Sequence, residues 1–167
     1  MGSALARLAS PSRSAMNMPF TAPQDAVTGC GLAKRDYTDN ELIAACAGKR
    51  IIKPAEGYML VLDSKTSSEA QINALCSRAV YMEICINISN SQFQQIRCPY
   101  LRYLVPCMPN RPALRVVNNN FLMNIMMSDS LRVCKNSKPL EIFNNPKLSA
   151  YSLLTLKRLC PNCIIRQ

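Results

Sequence analysis

Nine cysteines and no histidine decide which chemistries this 167-residue sequence can support. Without imidazole the usual general base, the imidazole metal ligand and every triad built on one are missing. A cysteine nucleophile needs a neighbouring base or a positive field to form its thiolate, and no local arrangement of Lys or Arg points to one. The expectation is a protein that is not an enzyme, with no catalytic, cofactor-binding or metal site.

The cysteines do show order in their spacing. Cys76 and Cys85 are separated by eight residues, Cys85 and Cys98 by twelve, and Cys98 and Cys107 by eight. In outline this doublet is similar to the twin Cys-x9-Cys proteins of the mitochondrial intermembrane space, in which two disulfides staple two antiparallel helices. Helix geometry separates the two cases. A nine-residue step turns through about 180° net, placing Cys76 and Cys85 on opposite helix faces. Pro99 directly follows Cys98 and Pro106 precedes Cys107, which breaks the second arm. The four positions are disulfide or thiol candidates of undetermined pairing, and an odd total leaves at least one thiol over. In a reducing compartment all nine would instead be small buried apolar residues. Cys160-Pro161-Asn162-Cys163 reads as half of a zinc site needing Cys134 and Cys98 or Cys107, as a redox pair, or as two ordinary cysteines near the chain end. The last is the default.

A second constellation is cationic. Arg97, Arg102, Arg111 and Arg115 interleave with Tyr100 and Tyr103, the residue types that hold phosphates and stacked bases of a single strand. The plainer reading is a solvated basic surface that aids solubility or meets an acidic partner.

These residues need elements to position them, and composition divides the chain. Residues 1–70 carry eight Lys/Arg against seven Asp/Glu, whereas residues 71–167 carry twelve against three, so most of the net charge of +10 lies in the second part. All five glycines fall at or before Gly57, so turns beyond it must rely on Asn and Pro. We expect an α+β protein in three parts: a leader at 1–37, basic and Ser-rich like a transit peptide; a small mixed unit at 38–89; and a basic Cys/Asn-rich part at 90–167, mostly helical. No run approaches the ~18 to 20 apolar residues needed to span a bilayer.

Thr38 and Glu41 form a capping box opening a short helix that Gly48 stops. Lys49 to Lys53 and Tyr58 to Asp63 flank Pro54-Ala55-Glu56-Gly57 as a β-hairpin. Thr66 and Glu69 form a second box, and Ile72, Leu75, Cys76, Ala79 and Met82 continue a helix from Ser67 to Ile86. Cys98 to Pro112 reads as loop. A helix through Leu114, Val117, Phe121 and Ile125 follows, interrupted by Asn118-Asn119-Asn120, and a last one runs from Asn145-Pro146 to Pro161.

The functional expectation is an interaction or accessory protein, specifically an imported mitochondrial assembly subunit whose Ser67 to Ile86 helix packs on a protein partner. The alternative is a basic nucleic-acid-binding or viral-type accessory protein acting through residues 97–166. Localisation is expected to be mitochondrial, or otherwise cytoplasmic or nuclear.

Overall fold

The computed structural model describes Cys30 and residues 38–54, 59–62, 69–133 and 137–167. The leader apart from Cys30, the centre of the expected hairpin turn, the Thr66 cap and Cys134 lie outside the described residues.

Short runs of β-branched and aliphatic residues alternate with polar corners, and the chain answers by coiling into a parallel β solenoid flanked by helices. The elements in order are α1 (Asp39–Cys46), β1 (Ile51–Ile52), β2 (Met59–Leu62), α2 (Glu69–Cys76), β3 (Tyr81–Glu83), β4 (Cys85–Ser89), β5 (Gln95–Cys98), β6 (Tyr103–Val105), β7 (Leu114–Val117), β8 (Asn124–Met127), β9 (Leu140–Phe143), α3 (Ala150–Leu159) and β10 (Ile164–Ile165). They form three sheets with orders β1-β3-β6, β10-β9-β7-β4-β2 and β5-β8, and every pairing is parallel. One coil therefore visits the first sheet, the second and the third in turn. Helix α2 occupies the third position in the first coil, against β5, and α3 occupies it in the fourth, against β8.

Register explains the core. Leu60, Ile86, Leu114 and Leu140 stand opposite one another along the second sheet, and so do Ile88, Val116, Ile142 and Ile165. All eight point inward and are buried. At ~4.8 Å between strands, such ladders remove each side chain from water against its own kind. Ile52, Met82 and Leu104 repeat the pattern on the first sheet, and Ile96 and Ile125 on the third. A single buried cluster runs from Leu42 to Ile165, with members on both sides of residue 90.

The spacing of the cysteines is the length of a coil. Tyr81 pairs with Tyr103, a step of 22 residues, and the disulfides Cys76–Cys98 and Cys85–Cys107 each span 22 residues. Each staples one coil to the next. Cys30–Cys46 pins the chain before α1 to that helix's last turn, and Cys160–Cys163 closes the bend between α3 and β10.

The glycine-free corners are made by asparagine. The non-glycine residues of positive φ among those described are Asn90, Asn118 and Asn144, each directly after a strand of the second sheet. Asparagine tolerates the left-handed conformation better than other side chains do. The next positions are Ser91, Asn119 and Asn145, all buried. Their side chains form a hydrogen-bonded ladder across three coils, from Ser91 to Asn119 to Asn145.

The mixed α and β class stands, and several local expectations hold. Thr38 caps α1 by accepting from the Glu41 amide at 3.2 Å, and Gly48 takes φ 78° beyond its end. Ser149 caps α3, inside the expected last helix. Others are corrected. Strands β1 and β2 exist but belong to different sheets, so no hairpin forms. Helix α2 ends at Cys76, and its Ile72, Leu75 and Cys76 are buried within this chain, so the expected helix to Ile86 is not there to pack on a partner. The expected loop holds β6, and the expected helix around Leu114 to Ile125 is two strands joined by the asparagine corner. Among the described residues the regular structure of 90–167 is therefore mostly strand, with α3 as its helix. No helix of the described residues is long and apolar enough to cross a membrane.

Candidate anion-binding groove

Each coil enters the first sheet through one backbone position, and arginine stands at most of them. The Val80 and Tyr81 amides donate to the Arg50 carbonyl at 2.8 and 3.1 Å. The Arg102 and Tyr103 amides donate to the Val80 carbonyl at 2.9 and 3.1 Å, and the Arg132 amide donates to the Arg102 carbonyl at 2.7 Å. The stacked row is thus Arg50, Val80 and Arg102, with Arg78 two residues before Val80, while Arg132 stands in register with Tyr103, one position further along. A parallel stack keeps like positions on one side of the sheet, so the arginines form a line down one edge of the solenoid, fixed by backbone register.

Beside this line lies a cleft of about 500 Å³, lined by Arg50, Arg78, Val80, Pro99, Tyr100, Arg102, Ser128 and Ser130. The three arginines, Arg50, Arg78 and Arg102, are exposed. The ion pairs among the described residues go elsewhere: Lys53–Glu83 at 3.1 Å, Arg115–Glu141 at 3.2 Å and Arg158–Asp129 at 3.6 Å. Glu83, the one acidic side chain in the strands of the first sheet, is held by Lys53 and by the Tyr81 hydroxyl, which donates to it at 2.8 Å. Asp129 lies between the two groove serines in sequence, and its carboxylate faces Arg158. The groove therefore gathers positive charge without a described acidic partner. Forked guanidinium donors beside the hydroxyls of Tyr100, Ser128 and Ser130 suit the oxygens of sulfate, phosphate or carboxylate.

The arginines expected from sequence divide among three faces. Arg102 is in the groove. Arg97 lies on β5 of the third sheet, donating to the Gln95 side chain. Arg111, in the loop after β6, donates to the Met59 sulfur at 3.7 Å. Arg115 is integrated into the second sheet, between Glu141 at 3.2 Å and Asn87 at 3.4 Å, with its guanidinium 5.7 Å from the Phe143 ring centre. Of the aromatics, Tyr100 is 64% exposed at the cleft, while Tyr103 is half-buried and tilted against Tyr81 at 6.4 Å. Sequence reasoning missed Arg50 and Arg78 because they lie far from Arg102 along the chain.

Cys76, Cys85, Cys98 and Cys107 are all disulfide-bonded and buried. Cys160 and Cys163 are bonded to each other, so neither they nor Cys98 and Cys107 offer thiolates to a metal. Among the described residues no three His, Cys, Asp or Glu side chains gather as a metal site. Comparison with known protein families, characterised proteins and solved structures finds no match to this chain.

Proposed function

We propose that this protein is a non-enzymatic interaction module that holds a polyanionic partner along the arginine row. The observation that carries this is the alignment of Arg50 and Arg102 by strand register, with Arg78 beside them in one cleft, without a described acidic partner. Rigid backbone spacing means these long side chains share one surface before any ligand arrives, which lowers the ordering cost of binding. Four disulfides support an oxidising compartment, where such bonds persist. The mitochondrial intermembrane space and the secretory lumen or cell surface both satisfy that condition, and a cytoplasmic or nuclear placement fits it less well.

A protein partner has separate support. Phe121, Met123, Met126, Tyr151 and Leu154 are exposed apolar side chains concentrated at β8 and α3, and grouped exposure of this kind marks interaction surfaces.

The test is a titration of the full chain against a polyanion at rising salt. Each anionic contact contributes roughly 0.7 to 0.9 to the slope of log K against log salt. Replacing Arg50, Arg78 and Arg102 with glutamine is expected to lower that slope by about 2 to 3. An unchanged slope contradicts the groove.

A further inference from the structure

We propose that the polymer held in the groove is a sulfated glycan, an inference that rests on the polyanion reading. Four features of the groove and its setting favour this class over single-stranded nucleic acid. Nucleic acid binding without sequence preference uses a series of aromatic faces for successive bases. Here Tyr100 is the exposed ring of the cleft, and Tyr103 is turned against Tyr81, so the described residues of the groove offer no series of platforms.

The groove's remaining polar lining is hydroxyl, from Tyr100, Ser128 and Ser130. Hydroxyls can donate to sulfate oxygens and exchange hydrogen bonds with sugar hydroxyls. Guanidinium is more weakly hydrated than ammonium and forks onto a flat pair of oxyanion oxygens. Finally, the disulfides belong to oxidising surroundings, the cell surface and secretory lumen included, which are where sulfated sugars are found.

The experiment uses the full oxidised chain and three probes of matched charge: a heparin-type oligosaccharide, an oligouridine and polyglutamate. Two triple variants of equal charge change are compared, R50Q/R78Q/R102Q in the groove and K138Q/K147Q/K157Q at exposed sites outside it. Circular dichroism and a free-thiol count establish that both variants fold. At physiological salt the sulfated probe is expected to bind at least tenfold more tightly than either other probe. The groove variant is expected to lose at least tenfold of that affinity and the control less than threefold. Groove-dependent binding in which RNA or polyglutamate equals or exceeds the glycan overturns the sulfated-glycan assignment and leaves the polyanion reading standing. Equal losses in the two variants overturn both, since binding would then follow net charge alone.

Discussion

Replacing Cys76, Cys85, Cys98 and Cys107 together by alanine is expected to leave the chain largely unfolded at 37 °C. Each of the two bonds closes a loop of 22 residues, and constraining the unfolded chain over that length is worth about 3 kcal/mol. Their combined loss is thus comparable with the whole stability of an ordinary domain, about 5 to 15 kcal/mol. The location of the bonds adds to the effect. Both tie consecutive coils, so without them the pairing of β4 with β7 and of α2 with β5 depends on short strands alone. All four side chains are buried, and the Cys107 amide donates to the Cys85 sulfur at 3.0 Å. Removing one bond at a time should lower Tm by roughly 6 to 12 °C, followed by thermal melting under oxidising conditions. A fall of only a degree or two for either pair would mean that the staples do not hold the coils.

Asn119→Ala is expected to cost about 3 to 5 kcal/mol, the largest effect we assign to a single side chain. The amide of this fully buried residue donates to the carbonyls of Ile88 at 3.1 Å and Val117 at 3.2 Å, and to the Asn145 side chain at 3.0 Å. Its oxygen accepts from the Ser91 amide at 3.1 Å and the Ser91 hydroxyl at 2.7 Å. Alanine leaves several of these groups buried without a partner, and each such group costs roughly 1 to 3 kcal/mol. Asn120→Ala, one residue on and exposed, is expected to stay within about 0.5 kcal/mol. Urea unfolding of both variants makes the comparison, with a shifted midpoint and unchanged slope for Asn119→Ala. Similar midpoints for the two would contradict the ladder.

The contrast between those two asparagines shows where sequence reading reaches and where it stops. The absence of glycine after Gly57 pointed to asparagine for the turns, and Asn90, Asn118 and Asn144 carry them. Which asparagine turns the chain and which is buried is not visible locally, because burial depends on a ladder to Ser91 and Asn145 in other coils. Helices α1 and the C-terminal end of α3 were legible, since capping and the stops at Gly48 and Pro161 are local signals. The strands were not. Leu114, Val117, Phe121 and Ile125 fit a helical period as well as Leu114 and Val116 fit a strand, and short apolar runs do not decide between them.

The coil length was present in the sequence as two cysteine pairs 22 residues apart, but it was hidden by grouping them as 76 with 85 and 98 with 107. The arginine row had no comparable signal. Its steps, from Arg50 to Val80 and from Val80 to Arg102, are unequal because the connecting loops differ in length. Only the finished register aligns them. The same register removed Arg97, Arg111 and Arg115 from the groove, by placing them on other faces or loops.

The central claim, that one row of arginines forms the binding surface, is tested most directly by following the arginine side-chain Nε–H signals by NMR during titration with a heparin-type oligosaccharide. The account predicts that Arg50, Arg78 and Arg102 shift together and saturate together, while Arg97, Arg111 and Arg115 stay within a small fraction of that change. Uniform small shifts over all arginines, or saturation centred on Arg111 and Arg115, would contradict it.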